Sequence, residues 1–224
     1  ENIDHPVATS ADIDYVLEHA NAVLEKPISR KDIIGVYAGL RPLLQPGVKE
    51  GESGETASTK VSREHTVTEV APGLTSIAGG KLTTYRVMAA DAVDFALGVE
   101  QTKVHPTCTE RLALVGAAGL DEVTARSGEI ARAHGWTLAR VDHLLSRYGA
   151  ETQDLIELID AKPEYGQPLE SAPAFLKAEV AWAVTHEGAL HLDDIIVHRV
   201  RLDLEHRDHG LAAADEIAEI AAPL

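Results

Sequence analysis

Two glycines, a lysine and a threonine pair, in the run Gly79-Gly80-Lys81-Leu82-Thr83-Thr84, make up the stretch of this chain best suited to chemistry. A short apolar run, Leu74-Thr75-Ser76-Ile77-Ala78, leads into it and a helical pattern follows. Glycines without a Cβ let the backbone turn sharply and admit a ligand closely. Thr83 or Thr84 is placed to cap the following helix, whose first N–H groups then aim back at the turn. The helix dipole adds partial positive charge there and Lys81 a full one. The stretch therefore suits an electron-rich ring or an anion, and it equally suits a plain strand–turn–helix connection. Arg41 and Arg63 join Lys81 as cations placed beside glycine-bearing or strand segments of an acidic chain. Such a trio could hold a small dianion such as a phosphate monoester, arginine by its bidentate fork and lysine as a point charge. It could also be three surface charges, paired with neighbours such as Glu64 or Asp32.

Other constellations fail on spacing. A nucleotide P-loop needs a glycine where Thr75 or Ser76 stands and a Ser or Thr where Leu82 stands. The run Leu112-Ala113-Leu114-Val115-Gly116-Ala117-Ala118-Gly119 imitates a dinucleotide-binding turn but offers only Gly116 and Gly119, so a linker with a turn is expected. His186 and His191 lie five positions apart, ~140° around a helix, and cannot share a metal as a pair four apart would; no metal site is expected. Asp194 and His198 are spaced for a local hydrogen bond or weak ion pair on a helix. His206 and His209 suit a solvated helix end. Cys108 has no base beside it in sequence and is expected to be a buried or idle thiol.

Acidic residues outnumber basic ones 36 to 20, for a formal charge of −16, which disfavours nucleic acid or an anionic membrane held by charge alone. The single cysteine excludes an intrachain disulfide and suits a reducing compartment. No apolar run approaches the ~20 residues of a membrane span, and the start Glu1-Asn2-Ile3-Asp4-His5 lacks the form of a signal peptide. A soluble, cytoplasmic chain is expected.

The elements that must position these groups follow from periodicity. Ser10 is the expected N-cap of a helix over 10–24, closed by Pro27. Residues 33–44 read as a strand ended by Pro42, 45–60 as a loop, and 63–70 as a strand with His65, Val67 and Glu69 on one face. Pro72-Gly73 makes a turn into a strand ending at Gly79. A helix over 84–97 should bury Tyr85, Met88, Ala89, Ala92 and Ala96, turn Asp91 and Asp94 outward, and stop at Gly98. Beyond it the apolar patterns at 123–134, 138–148, 152–159, 174–186, 192–204 and 212–220 are all helical. The expected fold is α+β over residues 1–98 followed by an all-α domain over 99–224.

Three blocks in order, Val36-Tyr37-Ala38-Gly39-Leu40-Arg41-Pro42-Leu43-Leu44, Ser62-Arg63-Glu64-His65 and Gly79-Gly80-Lys81-Leu82-Thr83-Thr84, resemble the flavin-dependent glycerol-3-phosphate dehydrogenases of the aerobic type. The resemblance extends upstream to Ala8-Thr9-Ser10-Ala11-Asp12-Ile13-Asp14-Tyr15 and downstream through Phe175-Leu176-Lys177-Ala178-Glu179-Val180 and Leu192-Asp193-Asp194. It implies that residues 1–98 contribute part of a substrate-binding and flavin-contacting β-sheet region. By the same resemblance, Arg41, Arg63 and Lys81 contact substrate, with Lys81 and Arg41 the catalytic pair. Gly79, Gly80, Lys81, Leu82, Thr83 and Thr84 lie against FAD. The implied reaction takes hydride from C2 of sn-glycerol 3-phosphate, giving dihydroxyacetone phosphate, with electrons passed to quinone. An oxidase using oxygen and a non-catalytic helical assembly module are the alternatives. The family's G-x-G-x-x-G turn and its proton-accepting base have no counterpart here, so the chain is expected to be a C-terminal portion, inactive alone and holding FAD loosely. Peripheral association with the inner face of the cell membrane and a homodimer are left open.

Overall fold

In the computed structural model, which describes residues 6–40 and 64–224, the period-two pattern after Glu64 becomes β1 (His65–Ala71), paired antiparallel with β2 (Leu74–Gly79). His65 stands opposite Gly79 and Val67 opposite Ile77, and the register shifts between Glu69 and Ala71. The turn between the strands puts Gly73 at φ +77, with its N–H donated to Glu69 Oε1 at 2.8 Å. Helix α2 (Tyr85–Leu97) follows and stops at Gly98 (φ +79), which opens α3 (Val99–Val104). These elements belong to a compact unit within Gly39–Leu112. No described residue of this unit is fully buried. The described ribbon with α2 and α3 does not enclose a core by itself. Hence of the apolar face expected on α2, Met88 and Ala92 are half-buried, while Tyr85, Ala89 and Ala96 are exposed. Asp91 is exposed as expected, and Asp94 is half-buried.

The second unit comprises Val7–Ala38 and Ala113–Leu224, so the compact units do not follow the division at residue 98. Residues past Gly98 stay with the first unit: α3 packs on α2, and Glu110 approaches Arg86 at 3.9 Å. Helix α1 (Ser10–Asn21) is capped by Thr9, not Ser10; Thr9 Oγ1 accepts the N–H of Asp12 while Asp12 accepts the N–H of Thr9 at 2.8 Å. That reciprocal box satisfies two otherwise unpaired donors. Residues 33–40 do not form the expected strand; 41–44 lie outside the described residues. A strand needs a ladder partner, and here the carbonyls of Lys31 and Ile33 are taken by the guanidinium of Arg207 at 2.6 and 2.9 Å.

The helical expectation after residue 121 holds with two corrections. Residues 123–134 divide into α4 (Leu120–Ala125) and α5 (Ser127–His134). Ser127 Oγ donates to the Thr124 carbonyl at 2.6 Å, a side-chain bond that competes with helix continuation. Residues 192–204 become a π-helical turn, Asp194–Arg199, and α9 (Leu202–Glu205), separated by Arg201 in the left-handed region at φ +66. Between them in sequence lie α6 (Leu138–Tyr148), α7 (Thr152–Ala161) and α8 (Lys177–Thr185); α10 (Ala214–Ala221) closes the chain. The core sits around α8. Phe175, Val180, Ile195, Val200, Leu202 and Ile217 pack on one side of it. Leu144, Tyr148, Leu155, Leu176 and Trp182 pack on the other.

Within that core lies a fully buried carboxylate, Glu179. Its Oε2 accepts the N–H of Leu176 at 2.7 Å, capping α8. Its Oε1 meets His143 Nε2 at 3.0 Å, the Tyr148 hydroxyl at 3.2 Å and Arg147 Nε at 3.6 Å. Burial, and then the nearby Glu179 charge, push the Tyr148 phenol far above its ordinary value, so it stays a donor. Removing the carboxylate takes away the partner of three donors, the Leu176 N–H, His143 Nε2 and the Tyr148 hydroxyl, and the counter-charge beside Arg147 Nε. Glu179→Ala should therefore cost about 3–5 kcal/mol, read as a lower urea midpoint at unchanged slope, with Glu179→Gln intermediate. Equal midpoints for all three proteins would show that the network does not hold the helices.

Candidate functional site

At the end of β2 the chain reverses through two consecutive left-handed residues, Gly79 at φ +80 and Gly80 at φ +81. Two positive φ values in succession are a glycine requirement. At Gly80 packing adds a second one. A Cβ there would run into Met88 Sδ on α2 and lie 2.7 Å from Met88 Cε and 3.3 Å from His65 Cβ. The side of Gly80 where a side chain would go thus faces α2, and the helix is seated against the ribbon at this point.

The turn hands Lys81 to the start of the helix in extended conformation, φ −131 and ψ 153. A short 3-10 turn, Leu82–Thr84, then leads into α2. Thr84 does not cap the helix as expected. Its hydroxyl donates to the Lys81 carbonyl at 3.0 Å and accepts the Lys81 N–H at 3.3 Å, so it fastens the turn to Lys81. Lys81, Leu82, Thr83 and Tyr85 are all exposed, Leu82 at 88%. Among the described residues Lys81 makes no ion pair. The opening turn therefore presents an ammonium, an apolar side chain and helix-start N–H groups on one accessible segment. Arg41 and Arg63, the other two cations of the expected site, lie outside the described residues.

His65, the last residue of the Ser-Arg-Glu-His block, reaches across from β1 to α2. Its Nε2 meets Asp91 Oδ2 at 2.7 Å. Asp91 therefore has a partner that no local spacing could reveal, since the two are brought together by the pairing of β1, β2 and α2.

The remaining histidines and acids take structural places. His186 stacks on Trp182 at 3.7 Å, nearly parallel, with Nδ1 at 2.7 Å from Thr185 Oγ1. Asp194 does not pair with His198. It accepts the N–H groups of Leu190 and His191 at 3.0 and 2.9 Å and lies 3.4 Å from the His191 ring. Those backbone donors hold its carboxyl below the usual range. His209, at φ +59, bonds Asp203 at 2.9 Å. Cys108 is exposed, not buried. Gly116 serves the expected linker turn, at φ +76, its carbonyl accepting the Ala150 N–H at 2.7 Å.

The chain is similar to known proteins over most of its length. Residues 107–224 match the family model of the C-terminal domain of alpha-glycerophosphate oxidase. The glycerol-3-phosphate dehydrogenase of Mycobacterium leprae (strain TN) is 47% identical over 225 aligned residues, covering 100% of this chain and 37% of that protein. Glycerol-3-phosphate dehydrogenase 2 of Mycobacterium tuberculosis (strain H37Rv) is 46% identical with the same coverage. Among solved structures, the glycerol-3-phosphate dehydrogenase from Bacillus halodurans complexed with FAD superposes with a TM-score of 0.67 at 25% identity, over 99% of this chain and 43% of that one. The chain thus spans 37% of the length of these mycobacterial relatives.

The glycine turn carries its own test. Gly80→Ala forces a side chain into the left-handed region, about 1–2 kcal/mol, and onto Met88 as well. Thermal unfolding should show a loss larger than the backbone cost alone, and Met88→Ala in the same chain should recover the steric part only. Full recovery in the double variant would mean that the left-handed backbone imposes nothing.

Proposed function

This chain belongs to the family of the C-terminal domain of alpha-glycerophosphate oxidase, and we propose that it is part of a flavoenzyme oxidising sn-glycerol 3-phosphate to dihydroxyacetone phosphate. The observation that carries the proposal is the Gly79-Gly80 turn delivering an exposed Lys81 to the start of α2. In a chain of net charge −16, an accessible ammonium without an ion-pair partner among the described residues, set beside a helix start, suits a negatively polarised ring edge or a phosphate.

FAD, when bound, would supply the hydride acceptor. The fit rests on Gly79 to Thr84: two glycines let the chain reverse in the left-handed region, the exposed Leu82 offers an apolar contact, and the opening N–H groups add positive potential. Lys81 would stabilise negative charge where it accumulates in the transition state, an electrostatic role that needs no proton transfer. Arg41 would grip the substrate phosphate bidentately and hold C2 in place, a positioning role. Arg63 would be a second cation toward the same substrate. The region 1–98 would accordingly contact substrate and flavin, with quinone taking the electrons afterwards.

A second reading has one observation in its favour. The matching family model is described by an oxidase, whereas the mycobacterial relatives are named dehydrogenases. Oxygen uptake with glycerol 3-phosphate and no quinone would select the oxidase.

The test is made on the whole protein. Arg41→Lys keeps the charge and loses the fork, which should lower kcat/KM for glycerol 3-phosphate by roughly 1.5–3 kcal/mol, one to two decades. With glycerol, which lacks the phosphate, the penalty should largely vanish, and flavin absorbance should be unchanged. An unaltered kcat/KM, or an equal loss with both substrates, would falsify the anchor.

A further inference from the structure

Gly79 and Gly80 let the chain reverse, but two glycines do not by themselves fix where the next side chain points. We propose that His65 is a positioning residue for Lys81, a strut from β1 to α2 that sets the two ends between which Gly80–Thr84 is held. The inference rests on the reading of Lys81 as the cation that stabilises negative charge in the transition state.

The strut and the turn lie in one compact unit, within Gly39–Leu112. On the strand side, His65 is the register partner of Gly79, the last residue of β2. On the helix side, its Nε2 meets Asp91 Oδ2 at 2.7 Å. A carboxylate only accepts, so the ring N–H donates, in a charge-assisted bond of the stronger class. Met88 precedes Asp91 by three residues on α2, a spacing that puts both on one face. It is Met88 that a Cβ at Gly80 would strike, with His65 Cβ 3.3 Å from the same point. The seat of the helix on the ribbon and the His65–Asp91 bond thus involve the same strand residue and the same helix face.

The circuit closes at the far end of the turn. Thr84, immediately before α2, donates its hydroxyl to the Lys81 carbonyl at 3.0 Å and accepts the Lys81 N–H at 3.3 Å. Lys81 is therefore tied to the start of α2, α2 to His65, and His65 to the end of β2, from which Gly80 returns to Lys81. His65–Asp91 is the tie made between side chains 26 positions apart in sequence. No described residue of this unit is fully buried, so burial does not replace a directional contact that is lost. Without the strut, α2 is free to shift against the ribbon, and Lys81 shifts with it.

The experiment uses the whole FAD-loaded protein with His65→Ala, His65→Gln, Asp91→Ala, Lys81→Met and the double variant His65→Ala with Lys81→Met. Two quantities are read: deuterium uptake of residues 79–85, and kcat and KM separately for glycerol 3-phosphate. Uptake should rise in His65→Ala and Asp91→Ala. In both, kcat should fall about tenfold, short of the roughly hundredfold that a misplacement of about 1 Å costs. KM should stay within about twofold, with flavin content unchanged. His65→Gln, which keeps an N–H near the place of Nε2, should recover most of both effects. In the Lys81→Met background His65→Ala should lower kcat no further, because a residue that acts through Lys81 has nothing left to place. Unchanged uptake in His65→Ala overturns the strut. Raised uptake with unchanged kcat overturns its positioning role. Losses in kcat that multiply in the double variant, or loss of flavin in step with a lower Tm, mark a merely structural residue and also overturn it. Lys81→Met with unaltered kcat defeats the reading of Lys81 first, and this inference with it.

Discussion

Glu179 is the constraint on which the helical unit turns. A carboxylate with no solvent exposure is tolerable only if its lone pairs are met, and those that meet it come from α6 and from the residue that precedes α8. Leu176 contributes the N–H that starts α8, and α6 contributes His143, Arg147 and Tyr148. Arg147 then extends the network: Nη2 donates to the carbonyls of Arg199 and Val200 at 2.9 and 2.7 Å, and its guanidinium lies 5.1 Å from the centre of the Phe175 ring. One charge pair therefore fixes the start of α8, the face α6 turns to it, and the end of the π-helical turn. A purely apolar core of the same volume could be as stable, but it would not specify which carbonyls Arg147 reaches. Nearby, burial raises the carboxyl of Glu187 above its usual value, against the charges of Arg199 and Arg147. The rim of the network thus tolerates acid only where arginine is at hand.

The two compact units solve different problems. The helical one buries a core around α8 and bounds several helices with a definite device, such as Gly135 in the left-handed region after α5 or Thr137 accepting the Arg140 N–H before α6. The other leaves Val70, Leu74, Tyr85 and Phe95 exposed, so its ribbon and helix are held by local pairings: the β1–β2 register, the His65–Asp91 contact, and Met88 against Gly80. Burial contributes little to such an assembly, and directional contacts carry the geometry. The residues of the turn, Lys81 to Thr84, stay exposed in such an arrangement.

What was legible in the sequence is what depends on local patterns. The alternation after Glu64, the Pro72-Gly73 turn, the strand ending at Gly79 and the helix stopping at Gly98 all appear where periodicity and breakers put them. So do α6, α7 and α10, each with a strong apolar stripe. What failed depended on partners distant in sequence. Residues 33–40 have strand composition, but the Ile33 carbonyl at their start, like that of Lys31 just before, meets Arg207 instead of a neighbouring strand. Thr84 had the right type and place for a cap, yet its hydroxyl found the Lys81 backbone closer. Glu179 is a surface residue by composition and the most enclosed charge in the described structure by contact; only the juxtaposition of α6 and α8 reveals it.

Legibility of the site follows the same division. Gly79 and Gly80 were readable because positive φ is a property of the residue itself, and both adopt it. The reason for Gly80 was only half visible, since the demand for close approach comes from Met88 on α2 as well as from any ligand. His65–Asp91 was invisible for the complementary reason: both residues are ordinary, and only the fold makes them a pair. The proposed site at the Gly79-Gly80 turn thus draws on two kinds of residue. One kind is chosen for what its own backbone or charge can do, as Gly79, Gly80 and Lys81 are. The other is chosen for what it holds in place, as His65 and Thr84 are, and these can be identified only from the contacts they make.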